Sequence, residues 1–510
     1  MPDILTTIAL YQRSANVDGT RVIAPKSRVT MKSPVANDIG PISLLPREIL
    51  EKVFTLCTSW LYGYHKPKNC LAWSQVCRAW RHIALSSGRF WQFIDLSDAH
   101  FANEFLVRSK QAPLHITATS PLALVPNFST YAHRLKSLSV AFSVGDTLQF
   151  FAYIGRYLPI MSNLALRVTP MTSTLSLVLN LPSIRQLSLE SVAIDWEECK
   201  NLTHLFLRGN HEANCPSLFE LHGILGSSPK IQSIRLECYT PPGENVFELP
   251  PISLPLLQDF IISSRPSTIR SVLSMIRPGP DARLQLYISV FQDLRSLFPY
   301  RLPYHPKSKT EDTHVLPAWP SNTNTVRLSR HGVYFIKNDL SWCDDPLELI
   351  LSVSSASFTS VPVCDSLHHV FDVNSITRLE LNIGVLEDIP PESLKRLFRE
   401  LQHLRSLCTA FNDISHLCHI LQSFDESTKL PYIPQLAKLS FSKRSDVWWY
   451  FGDMWMESIL QTMRARRDHV APIRTLEFYN CHELCPMMIK ELQAIVEQVV
   501  VIEKKVRKHV

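Results

Sequence analysis

Two short clusters in the chain carry side chains that can ligate a metal ion. Cys481-His482-Glu483-Leu484-Cys485 puts two thiols and an imidazole within five residues, and Cys364-Asp365-Ser366-Leu367-His368-His369 gathers a thiol, a carboxylate and two imidazoles. A tetrahedral zinc site needs four such donors, usually as two pairs at short spacing. No second Cys/His pair stands at that distance from either cluster, so both read more plainly as packed side chains, and no metal is expected. A third stretch, VWWYFGDMWMESILQTMRARR at 447–467, sets aromatic rings beside basic residues, an arrangement on which nucleic-acid bases can stack. Yet Trp448, Trp455, Ile459 and Met463 recur at near-helical spacing, as in an outer helix packed on a sheet.

Signatures of covalent and phosphoryl chemistry are missing. The chain holds no P-loop, GxGxxG, GxSxG, HExxH or kinase pattern, and its 14 glycines are few for phosphate cradles. No catalytic residue and no cofactor is expected, and the chain reads as a non-enzyme. Its 52 basic and 46 acidic residues give a net charge of +6 with no run of five like charges, so no nucleic-acid partner is implied. The 12 cysteines sit singly, in runs such as VFTLC and SQVCRAW, where reduced thiols act as small hydrophobes. No stretch approaches 18 uninterrupted apolar residues, and the N-terminus lacks the marks of a signal peptide. A cytoplasmic or nuclear protein without a membrane contact is expected.

The elements that could place a functional surface begin near residue 42. A composition of 45% apolar and 19% charged residues is that of a folded chain, although residues 1–38, with little periodic apolar content, are expected to be disordered. In ISLLPREILEKVF (42–54), Pro46 is placed to start a helix, with Leu45 extended before it. Ile49, Leu50, Val53, Phe54 and Cys57 then form one apolar stripe. LAWSQVCRAWRHIALS (71–86) predicts a second helical segment, and RFWQFIDLS adds Phe90, Trp91, Ile94 and Leu96. A unit this small, with this many large apolar side chains, is expected to share some of them with a partner or neighbouring domain.

The ordered series LP-x-E-I-L-x-x-V-F, V-C-R-x-W-R-x-I-A and F-W-x-x-I-x-L resembles the F-box. The family is a three-helix module that docks on the Skp adaptor of cullin-based, SCF-type ubiquitin ligases. The resemblance implies that Leu45, Pro46, Ile49, Leu50, Val53 and Phe54 face the adaptor or the core beneath it. It implies also that Val76, Cys77, Arg78, Trp80 and Ile83 complete that surface, and that Trp91 anchors the module to the next part of the chain. The loop Leu61–Asn69 is longer than in compact members, and Gly88-Arg89-Phe90 stands where many members have Pro-x-Leu. HFANEFLVRSKQAPLHITA (100–118), read as an exposed helix and a short strand, is similar to the stretch after the F-box in proteins of mushroom-forming fungi.

Beyond it one pattern returns seven times, as in RLKSLSV (Leu135, Leu138, Val140), SIRQLSL (Ile184, Leu187, Leu189), NLTHLFLRGN (Leu202, Leu205, Leu207) and KIQSIRL (Ile231, Ile234, Leu236). SITRLEL (Ile376, Leu379, Leu381), QLAKLSF (Leu436, Leu439, Phe441) and PIRTLEF (Ile473, Leu476, Phe478) complete the set. LxxLxL marks the strand of a leucine-rich repeat, and Asn210 stands where the repeat's asparagine belongs. The expected class is α/β: a small all-α three-helix F-box at 39–96, then an irregular leucine-rich-repeat-like solenoid at 97–480, with a loop near 300–325. A C-terminal helix or cap is expected over 481–510.

The implied function is a substrate-recognition subunit, binding the Skp adaptor and through it cullin, with the repeats presenting a concave strand face to an unknown protein target. The alternative is a non-degradative scaffold that uses the F-box and adaptor outside a ligase.

Overall fold

In the computed structural model of the protein, the described residues are 45–61, 69–118, 128–169, 174–209, 212–243, 249–279, 282–288, 297, 325–329, 332–336, 347–353, 367, 373–381, 389–410, 414–425, 429–442, 453–468, 471–479, 481, 484 and 486–502. The expectations for 1–38, for the loop near 300–325, and for Trp448, Asn210, His482 and Cys485 concern residues outside these, apart from Thr325 itself. Contacts divide the chain into Met1–Val53 and Phe54–Val510.

The N-terminal helices are α1 (Arg47–Leu61), α2 (Asn69–Trp73) and α3 (Arg78–Ser86). Pro46 lies one residue ahead of α1 rather than in its first turn, and its carbonyl accepts from the Ile49 and Leu50 amides at 3.0 and 3.1 Å. The helical segment expected over 71–86 is broken in two. Cys77 is extended there (φ −154°, ψ 170°) and caps α3, its Sγ accepting from the Trp80 amide at 3.5 Å. The apolar spacing carried straight through this break, because Trp73 and Trp80 converge on Phe54 from both sides of it, with centroid distances of 5.7 and 4.8 Å.

The strands are β1 (Phe93–Asp95), β2 (Leu114–Ala118), β3 (Leu135–Phe142), β4 (Asn163–Val168), β5 (Leu175–Leu177), β6 (Gln186–Glu190), β7 (Val192–Ile194), β8 (His204–Arg208), β9 (Ser233–Glu237), β10 (Ile252–Leu254), β11 (Asp259–Ser264), β12 (Ile276–Pro278) and β13 (Arg283–Ile288). Then come β14 (Thr325–Ser329), β15 (Gly332–Ile336), β16 (Leu347–Val353), β17 (Arg378–Leu381), β18 (Ser406–Ala410), β19 (Lys438–Ser442), β20 (Thr475–Tyr479) and β21 (Gln498–Ile502). Between them lie α4 (Ala99–Arg108), α5 (Val144–Ile154), α6 (Leu218–Gly226), α7 (Pro266–Met275), α8 (Pro391–Glu400), α9 (Ser415–Gln422), α10 (Asp453–Asp468) and α11 (Pro486–Ile495).

Among the described residues, seventeen strands join in one sheet. From β1 the pairing is parallel through β2, β3, β4, β6, β8, β9, β11 and β13 to β16. β15 then pairs antiparallel with both β16 and β14, and from β14 the order is parallel again through β17, β18, β19 and β20 to β21. The fold is mixed α/β. Parallel neighbours need long crossovers, and the intervening helices and loops supply them.

All seven LxxLxL stretches run into these strands, the first pattern residue standing two residues ahead of the strand in every case but β3, and every one of their 21 pattern residues is buried. The helices bury matching stripes, such as Leu394, Leu397 and Phe398 on α8. Abundant proline fits this plan: Pro266 and Pro391 stand in the first turns of α7 and α8, where no amide partner is lost. Ser217 and Glu220 form a reciprocal capping box at the start of α6.

Three expectations are corrected by the geometry. The sheet begins at Phe93 and ends at Ile502, past both ends of the expected 97–480 region. The C-terminal helix stops at Ile495, because the β-branched run Val499-Val500-Val501-Ile502 favours a strand, which pairs with β20. And α4, expected to be exposed, buries Ala102, Phe105 and Leu106.

Candidate protein-interaction surfaces

In the segment Leu45–Val53, Leu45 and Ile49 are 38% and 45% exposed, and Pro46 is exposed with them. Leu50 is buried and Val53 half-buried. The stripe read from the sequence is thus split by the helix: part stays inside and part presents apolar surface to solvent.

Past Val53, Phe54 is buried at the centre of an aromatic cluster with Trp73, Trp80 and Phe90. Ile83 is buried, Trp80 half-buried, and Val76, Cys77 and Arg78 are exposed, Val76 at 60%. Leu56 and Leu85, at 58% and 40%, are exposed apolar residues that the sequence reading passed over. Leu56 stands two helical turns after Ile49 on the same side of α1, a spacing that could have signalled it, whereas Leu85 lies off the apolar stripe of α3.

Trp91 is fully buried. Its Nε1 donates to the Ala84 carbonyl at 2.7 Å, its ring meets Phe105 edge-on at 4.9 Å, and the Arg108 guanidinium lies 4.6 Å from the ring centroid. It therefore ties α3 to α4. Gly88, a departure from the family pattern, has a local cause: a Cβ there would lie 2.5 Å from the Ser109 carbonyl oxygen. Lys110 Nζ closes the same junction on the Ser86 carbonyl at 2.7 Å.

The sheet supplies a second surface. Residues between the buried leucines face away from them, and the pairing sets these residues in rows. One row runs Ser137, Asn163, Gln186, His204, Ser233, the next Ser139, Ala165, Ser188, Phe206, Arg235, and a third Arg167, Glu190, Arg208, Glu237. A groove of 430 Å³ lies over the first two rows. Asn163 donates to the Gln186 carboxamide, Arg235 lies 5.3 Å from the Phe206 ring centroid, and Arg235 Nε donates to Glu237 at 2.6 Å.

The corresponding middle row on β17 to β20 is closed, although the row before it, Arg378, Ser406, Lys438 and Thr475, is half-buried. Glu380, Cys408, Ser440 and Glu477 are all buried. Glu477 accepts from Ser440 and Tyr479 at 2.9 and 2.8 Å and pairs with Lys438 at 2.9 Å. Burial alone would raise its carboxyl, but the bonds from Lys438, Tyr479 and Ser440 outweigh it and hold the group below its ordinary value. The Tyr479 hydroxyl, partly buried beside that carboxylate, is pushed up.

Among the described residues no group of three or more His, Cys, Asp or Glu side chains is placed to hold a metal ion. Cys481 is buried, its Sγ donating to the Tyr479 carbonyl at 3.4 Å. In the aromatic-basic stretch, Met456, Ile459, Leu460 and Met463 of α10 are buried, and so is Arg466. Its guanidinium donates to the Ala471, Tyr432 and Ile433 carbonyls at 3.1, 2.8 and 2.8 Å. Burial lowers Arg466 to about 10, still charged at neutral pH.

Residues 42–97 match the F-box-like family model. No curated protein matches the chain. Among solved structures, the crystal structure of the leucine-rich repeat-containing protein LegL7 from Legionella pneumophila is 11% identical, with 81% of this chain and 91% of that chain covered, at a TM-score of 0.23.

Proposed function

We propose that the protein is the substrate-recognition subunit of an SCF-type cullin ubiquitin ligase. The match of residues 42–97 to the F-box-like family carries this reading. F-box domains generally bind Skp adaptors. In the segment up to Val53, Leu45, Pro46 and Ile49 are exposed to make such a contact and Leu50 is buried; past it, Val76, Cys77 and Arg78 are exposed, while Phe54, Ile83 and Trp91 are buried. Val53 and Trp80 are each half-buried. The similarity of residues 100–118 to fungal F-box proteins belongs with the same reading.

The protein performs no bond chemistry itself. The adaptor links it to cullin, and the degenerate leucine-rich repeats hold a protein target near the ubiquitin-charged enzyme, which acts by raising effective concentration. It works in the cytoplasm or nucleus. Affinity capture of the tagged chain from cells in which ubiquitin transfer is blocked tests this. Adaptor and cullin together are expected; adaptor without cullin would turn the reading into that of a scaffold outside a ligase.

A further inference from the structure

Open strand faces differ in what can lie on them, and the five strands β3, β4, β6, β8 and β9 form a selective one. Their four intervals span about 19 Å at about 4.8 Å each, the length of roughly six extended residues. The floor is of small residues, Ser139, Ala165 and Ser188, and it ends against the half-buried ring of Phe206. One apolar side chain can rest there. Beside the floor, the carboxamides, imidazole and hydroxyl of Asn163, Gln186, His204 and Ser233 both donate and accept, which suits the amides of a main chain. The groove's 430 Å³ lies within the range of ligand-sized sites.

Charge narrows the choice. Arg167, Glu190 and Arg208, Glu237 alternate across four neighbouring strands, and Arg235 adds a third cation to the two carboxylates. One positive charge is in surplus. A nucleic acid brings many phosphates and would meet Glu190 and Glu237 as well. A basic segment would find the surplus repulsive.

Resting on the reading of the repeat face as the target surface, we propose that this groove binds an extended polypeptide segment in which one acidic side chain lies within two residues of one apolar side chain. The acidic group sits at Arg235 and Arg208, and the apolar group covers Ser188 against Phe206.

The test displays a random heptapeptide library on the full-length chain and measures the affinity of the synthesised winners. Winners pairing Asp or Glu with Leu, Ile or Phe are expected. Arg235→Glu should weaken them at least tenfold, Arg235→Gln less, and reselection on Arg235→Glu should yield Lys or Arg instead. Ser188→Trp should fill the floor and abolish binding. No enrichment, winners without an acidic residue, affinity indifferent to these substitutions, or equal competition by a ten-residue oligothymidylate would each overturn the proposal. All variants are also assayed for Skp adaptor binding. Adaptor bound with no peptide bound defeats the groove alone; peptide bound with no adaptor bound defeats the ligase reading alone.

Discussion

On β6, β8 and β9 buried and accessible residues alternate, whereas on β17, β18, β19 and β20 every residue from the second to the fourth is buried. Both sets of strands obey the same spacing of apolar residues, and both bury those residues to a few per cent or less. The difference lies on the opposite side, where the first set leaves a groove and the second is covered by the chain itself. A repeated apolar pattern therefore specifies which way a strand faces its core, and leaves undetermined whether its other face is free. The polar residues record the outcome: in the open rows they are hydroxyls, amides and paired surface charges, and in the closed row Glu380 pairs with Arg378 while Ser440 joins Lys438 and Tyr479 on Glu477.

That contrast can be broken most forcefully by truncation. Glu477→Ala would strand the buried Ser440 hydroxyl and take the acceptor from the half-buried Tyr479 hydroxyl, while Lys438, 40% exposed, turns to water, at a cost of about 2–4 kcal/mol. Gln186→Ala, on the open face, should stay within about 0.5 kcal/mol. Denaturant unfolding of the two variants measures both, and equal effects would erase the distinction.

A smaller effect should appear in acid. Burial, aided by Lys136, lowers His115 to about 4, and its ring stacks 4.7 Å from Phe93. Between 6.5, the ordinary value, and 4 the unfolded chain binds this proton more readily than the folded one, so stability falls as pH drops through that window and levels off below it. At about 1.36 kcal/mol per unit, discounted because the ring is partly exposed, the loss is about 1–2 kcal/mol. His115→Asn should remove that slope from a titration of melting temperature between pH 7 and 4.

The smallest effect belongs to the alternating charges. Arg167 pairs with Glu190 at 3.2 Å while its side chain is 49% exposed, so Arg167→Ala should cost under about 1 kcal/mol, with the cost shrinking in high salt. A melting shift that salt leaves untouched would mean that this row is not a solvent-facing surface.

Much of this ladder could be read from the residues, because LxxLxL fixes both strand and buried side. Three strands escaped for a definite reason. Met161, Leu164 and Leu166, then Leu257, Phe260 and Ile262, then Leu404, Leu407 and Thr409 keep the spacing but vary the residue type, and all nine are buried. The closing strand β21 escaped because Val499 to Ile502 continues a helical-looking segment. At the N-terminal surface the stripe was legible, but not which of its members remain outside. Leu50 and Ile49 are neighbours in the same apolar run, and only the course of the helix leaves one buried and the other 45% exposed. The groove was least legible of all, since Phe206 and Arg235 acquire meaning only when strands far apart in sequence are set in register.

The central claim is that residues 42–97 dock an adaptor, and Leu45 and Pro46 test it most directly. Truncating an apolar interface anchor costs roughly 1–4 kcal/mol, and each 1.4 kcal/mol is about tenfold in affinity. Alanine at 46 keeps the carbonyl that receives the first α1 bonds, so the fold should be spared. Calorimetric affinity for the Skp adaptor should fall about a hundredfold or more in Leu45→Ala/Pro46→Ala, with the melting temperature of the variant unchanged. Affinity that stays at the wild-type level, or that is lost together with the melting transition, would contradict the account.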